Sequence, residues 1–155
     1  MQGNQRGFSL IEVVVALALM AGVLISIAGL FVIGARQVES GRESTEALSV
    51  ARGIIEQINK WGFHQTYQLF GASGTAATYT FDTRTITDPP TTGMAKWQPM
   101  LSQKIPGSYA TITVTSLGPG TPPILSDTRA MRVVVTVRWA EQLRQRQVML
   151  ATVRM

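Results

Sequence analysis

The chain has 155 residues, a formal net charge of +5 and no cysteine. That length admits one apolar segment and one small domain of about 100 residues but no second globular domain, and the missing thiols exclude disulfides and thiolate metal sites in any compartment. Arginines are spread from Arg36 to Arg154 with no block of adjacent basic residues, the pattern of a solvated surface rather than of a nucleic-acid groove.

A short polar leader, Met1 to Arg6, meets Gly7-Phe8-Ser9-Leu10-Ile11-Glu12 and then 23 uncharged residues, Val13 to Ala35. A secretory signal has an apolar region of only about 7–15 residues. As a helix this run rises about 35 Å, enough for a hydrocarbon layer of about 30 Å. A domain of about 100 residues cannot cover such a helix on all sides, so the run reads as a single membrane span. Arg6 precedes it and Arg36 follows it, which leaves orientation undecided by charge. Glu12 stands out, because a carboxylate at the edge of hydrocarbon loses hydration unless a cation pairs with it or headgroups are in reach.

The helical pattern continues beyond the span. No proline occurs from Arg36 to Trp61, and Ala47, Leu48, Ala51, Ile54, Ile55, Ile58 and Trp61 recur at the three-and-four spacing of one helix face. Arg52, Glu56, Gln57 and Lys60 fill the other face. The expectation is one helix from Phe8 to Trp61, about 80 Å long, with an apolar first half for lipid and an amphipathic second half for a domain. Gly34, Gly41 and Gly53 are places for a bend, and Trp61-Gly62 is a candidate C-terminus with the glycine in the left-handed conformation.

After Gly62 the chain turns to strand formers. Tyr79–Thr87, Tyr109–Leu117, Met131–Trp139 and Val148–Met155 are the expected strands. In the third, Met131, Val133, Val135, Val137 and Trp139 point one way while Arg132, Thr136 and Arg138 point the other, which describes a sheet with one buried face. A hairpin through Ala140 to Arg146 joins the last two strands. Asp88 to Gly93 and Gly118 to Pro123 are breaker clusters and hence loops. The expected class is α+β, with the amphipathic half of the helix laid across a small antiparallel sheet of about four strands.

Chemistry-bearing residues are sparse. The sole histidine, His64, has no cysteine or nearby acid with which to build a zinc site. Asp82, Asp88 and Asp127 are scattered, and Gly71 to Gly74 lacks the lysine and spacing of a phosphate loop. Trp61 and Trp139 fall on inward faces, leaving Trp97, in a loop from Met94 to Pro99, as the candidate exposed aromatic. The expectation is a non-enzyme without a cofactor or metal. A membrane-anchored module binding sugar or DNA through Trp97 and surface arginines stands as a rival.

The leader ending in glycine, followed by Phe-Ser-Leu-Ile-Glu and an apolar helix, resembles the class III prepilin signal of type IV pilins and of the pseudopilins of type II secretion. The resemblance implies cleavage between Gly7 and Phe8 by a prepilin peptidase, methylation of the new amino group of Phe8, and a division into leader (1–7), span (8–35) and extracytoplasmic domain (36–155). It also implies insertion in a bacterial inner membrane with the C-terminal domain outside the cytoplasm. Partners would be other pilin or pseudopilin subunits and an inner-membrane assembly platform, on the way to a pilus at the cell surface or a periplasmic pseudopilus. Cleavage would create an ammonium at Phe8, one helical turn from Glu12, and in low dielectric the two attract strongly although desolvation offsets much of it. The expected assembly residue is therefore Glu12, satisfied by a neighbouring subunit's ammonium. Ala18, Gly22 and Ser26 form a small-residue stripe for close helix packing. The absence of cysteine, and Gly29 where major pilins often carry proline, resemble a minor pilin of the pilus-modification type or a minor pseudopilin; the last two strands resemble both.

Overall fold

In the computed structural model residues 9–63, 65, 66, 69, 77–85, 93–118, 129–141 and 144–155 are described. Helix α1 (Leu10–Lys60) runs uninterrupted for 51 residues. It opens on the carbonyl of Ser9, which accepts the amides of Glu12 (2.9 Å) and Val13 (3.3 Å). Gly34, Gly41 and Gly53 all lie inside it. At its end the amide of Trp61 makes a tight three-residue bond to the carbonyl of Ile58 (3.2 Å).

Gly62 does not end the helix in the way its neighbours suggest. Among the described residues the glycines with positive φ are Gly93 and Gly107, both at 74°. The Gly62 carbonyl instead accepts the amide (2.9 Å) and hydroxyl (3.1 Å) of Thr66, which begins another helical turn. A left-handed cap serves to satisfy the last carbonyls of a helix, and here an arginine from the far end of the chain does so, as described below.

The chain divides into two compact units, one up to Gly41 and one from Arg42 to Met155. In the first unit α1 is exposed on every side from Ser9 to Ile33. It is long and apolar enough to cross a membrane.

The second unit is an α+β layer. Strands β1 (Thr78–Asp82), β2 (Tyr109–Ser116), β3 (Met131–Glu141) and β4 (Arg144–Arg154) form one antiparallel sheet in the order β1-β2-β3-β4. The register aligns Phe81, Ile112, Val135 and Leu150 across all four strands. Ala110, Ile112, Val114, Met131, Val133, Val135, Val137 and Trp139 are buried on one face, where they share a core with Ala47, Val50, Ala51, Ile54, Ile55 and Ile58 of α1. The helix contributes the three-and-four face read from its sequence, so burial rather than intrinsic propensity fixes which way it is turned.

Several boundaries differ from the expectation. β1 stops at Asp82, because its carboxylate accepts the amide of Arg84 and its carbonyl accepts the amide of Thr85, closing a turn. Ile86 and Thr87, with both breaker clusters apart from their terminal glycines, lie outside the described residues. The hairpin expected from Ala140 to Arg146 is mostly strand, since Glu141 pairs with Arg144.

The region expected as a loop from Met94 to Pro99 is helical. Gly93 leads into a single 3₁₀ turn (Met94–Lys96) and then helix α2 (Trp97–Lys104). Pro99 lies in the first turn of α2, where a missing amide costs no helix bond.

Candidate functional site

Glu12 lies in the first turn of α1 and is exposed, as are its neighbours. Gly7 and Phe8 lie outside the described residues. Ala18, Gly22 and Ser26 follow at successive turns of α1, all exposed. The Ser26 hydroxyl donates to the carbonyl of Gly22 (2.9 Å), so it is satisfied within its own helix. The stripe therefore offers a smooth, small surface rather than a free hydrogen-bond donor. Between Ser9 and Ala35 the one charge is Glu12, and Leu10, Ile25 and Phe31 are each more than 70% exposed. The omission of a side chain at Gly34 leaves a notch lined by Ile27, Leu30, Phe31 and Ala35.

Such a surface has a definite chemical meaning. Water cannot solvate an uncovered apolar helix from Val13 to Ile33 without a large cost, so this segment requires lipid or other apolar helices around it. Burying Glu12 in either environment requires a cation beside it.

Trp97 is not a surface aromatic. It is 1% exposed, its indole nitrogen donates to Oε1 of Gln57 (2.8 Å), and its ring lies 6.1 Å from that of Trp61. The corrected placement follows from α2, which turns Trp97 and Leu101 together into the core. Trp139 is buried as expected, with its indole nitrogen on the Glu43 carboxylate (3.0 Å). Trp97 is thereby removed as a sugar or base platform.

Asp82 is held by Arg84, bonded through both carboxylate oxygens (2.9 and 2.5 Å). The Arg84 side-chain bond, against a smaller desolvation effect, keeps the Asp82 carboxyl below its ordinary 3.8. Arg84 also lies 3.9 Å over the ring of Tyr109. Among the described residues no three His, Asp or Glu side chains come together as a metal cluster would require. His64, Asp88, Asp127 and Gly71 to Gly74 lie outside those residues.

Sequence reasoning missed the fastening of the chain's end to α1. The Arg154 guanidinium donates to the carbonyls of Ile58 (2.8 Å) and Trp61 (2.6 Å) and to the hydroxyl of Thr66. Burial pushes its pKa down. A cation at this place complements the negative end of the helix. No local signal could disclose it, because the partners are more than 85 residues apart in sequence.

Residues 2–35 match the family model described as the prokaryotic N-terminal methylation motif. That motif is the one found in class III prepilin signals, and it supports a type IV pilin-like or pseudopilin protein. No curated protein and no solved structure matches the chain.

Proposed function

We propose that the chain is a minor pilin of a type IV pilus, assembled through α1 and acting in pilus priming or at the tip. The observation that carries this reading is the methylation motif running directly into a helix that is apolar and uncovered from Ser9 to Ile33. A prepilin peptidase cuts between Gly7 and Phe8 and the new Phe8 amine is methylated. In the membrane Glu12 draws the Phe8 ammonium of a neighbouring subunit as α1 leaves lipid for a helical bundle, which sets the axial register. The sheet domain stands outside the inner membrane, and the protein assembles rather than catalyses. The absence of cysteine and the presence of Gly29 support a minor over a major subunit.

Glu12→Ala tests the assembly role. The variant is expected to lose its leader normally yet be absent from sheared filaments. Incorporation at the parental level contradicts the role given to Glu12. Deletion of the gene separates the pilus from the pseudopilus reading: loss of surface filaments with protein secretion intact supports the former, and the reverse result supports the latter.

A further inference from the structure

The sheet ends at β4, and among the described residues no strand pairs with its outer edge. This edge is 11 residues long, about 35 Å of main chain, whereas β1 at the other side has 5 and closes in the Asp82 turn. Edges of such length are ordinarily blunted by proline, bulges or charges along the strand. β4 carries none of these from Gln147 to Val153. Met149 and Val153 are more than half exposed on its outer face, and Val134 of β3 lies beside Ala151 in register. The edge thus presents alternate main-chain groups next to a short apolar strip.

Its charges are placed at the ends. Arg154 is committed to α1, and Arg146 is paired with Glu141 (2.6 Å). Arg144 opens the strand, and Arg132 is the register partner of Val153 near its close. Among the described residues neither faces a carboxylate in an ion pair. Two exposed guanidinium groups therefore frame an uncharged, pairing-competent edge.

We propose that the free edge of β4 receives an extended, acid-ended strand of a partner protein. Main-chain bonds along Gln147 to Val153 supply the attraction, apolar side chains at alternate positions cover Met149 and Val153, and a carboxylate at each end meets Arg144 and Arg132. A second copy of this chain is the poorer occupant, because it brings the same arginines and a net charge of +5 to the contact.

The probe is a capped, fluorescently labelled decapeptide of alternating Thr and Val with Glu at both ends, added to the full chain in detergent micelles. Fluorescence anisotropy is expected to show saturable binding. Affinity should weaken about fivefold or more when the terminal Glu residues become Lys, or in the double variant Arg132→Gln, Arg144→Gln, as loss of two exposed ion pairs implies. Amide hydrogen exchange should slow in β4 and not in β1. Equal affinity for the Glu-ended and Lys-ended peptides overturns the proposal, as does absence of saturable binding or protection confined to α1. Concentration-dependent protection of β4 without peptide also overturns it, in favour of self-pairing.

Discussion

Replacing Arg154 by alanine removes the charged donor at the end of α1. Two carbonyls, those of Ile58 and Trp61, lose bonds of 2.8 and 2.6 Å to a charged group, each worth about 1.5–3 kcal/mol. Loss of the cation from the helix C-terminus adds about 0.3–1 kcal/mol. Thr66 keeps a partner, since its hydroxyl also bonds the Gly62 carbonyl, and the Ile58 carbonyl keeps the Trp61 amide. Two terms reduce the sum. Burial of the guanidinium disfavours its charged form, and water replaces part of what is removed at this half-buried site. The net expectation is a loss of about 2–4 kcal/mol, or a fall in Tm of about 10–20 °C for a domain of this size. Urea unfolding of the full chain in micelles reads this directly, because Trp61, Trp97 and Trp139 all report from the Arg42–Met155 unit. Arg154→Lys, with charge but without the fork, should lose about half as much, and Arg154→Met should resemble alanine. A loss under about 0.5 kcal/mol for alanine, or equal values for Met and Lys, refutes the capping argument.

Two further substitutions probe the same unit. Gly93→Ala should cost about 1–2 kcal/mol, since Gly93 has φ +74° and an added Cβ would come within 2.7 Å of the Gln57 amide nitrogen, whose oxygen is already engaged by Trp97; thermal melts at the parental Tm would expose the reasoning as wrong. Asp82→Asn tests the pH dependence. The folded carboxyl lies below its ordinary value, so its contribution is fully present above that value and is lost as pH falls through the folded pKa. Parent and variant should differ at neutral pH and converge in acid, once the pH has fallen through the lowered folded pKa; a gap that persists or widens in acid contradicts the assignment.

The membrane-length helix, its amphipathic continuation and the strand cores were legible because each rests on a periodicity that burial enforces over many residues: Ala47 to Ile58 on one helix face, Met131 to Trp139 on one sheet face. The N-terminal motif was legible because it is a run of adjacent residues. What escaped was decided by distant contacts. Trp97 could be placed only with α2 and Gln57 in view, and the bonds that Arg154 makes to the carbonyls at the end of α1 come from the last strand. The Asp82 turn that shortens β1 is the exception, a local side-chain to main-chain bond outweighing the strand propensity of Thr83 and Thr85 after it.

Residues 2–35, which match the methylation motif, are expected to act as a prepilin signal. Intact-mass and N-terminal peptide analysis of the chain recovered from its native membrane measures this most directly. The expected product is a chain that begins at Phe8, heavier by one methyl group on its amine. A chain that retains Met1 to Gly7, or one cut elsewhere with an unmodified amine, would contradict it.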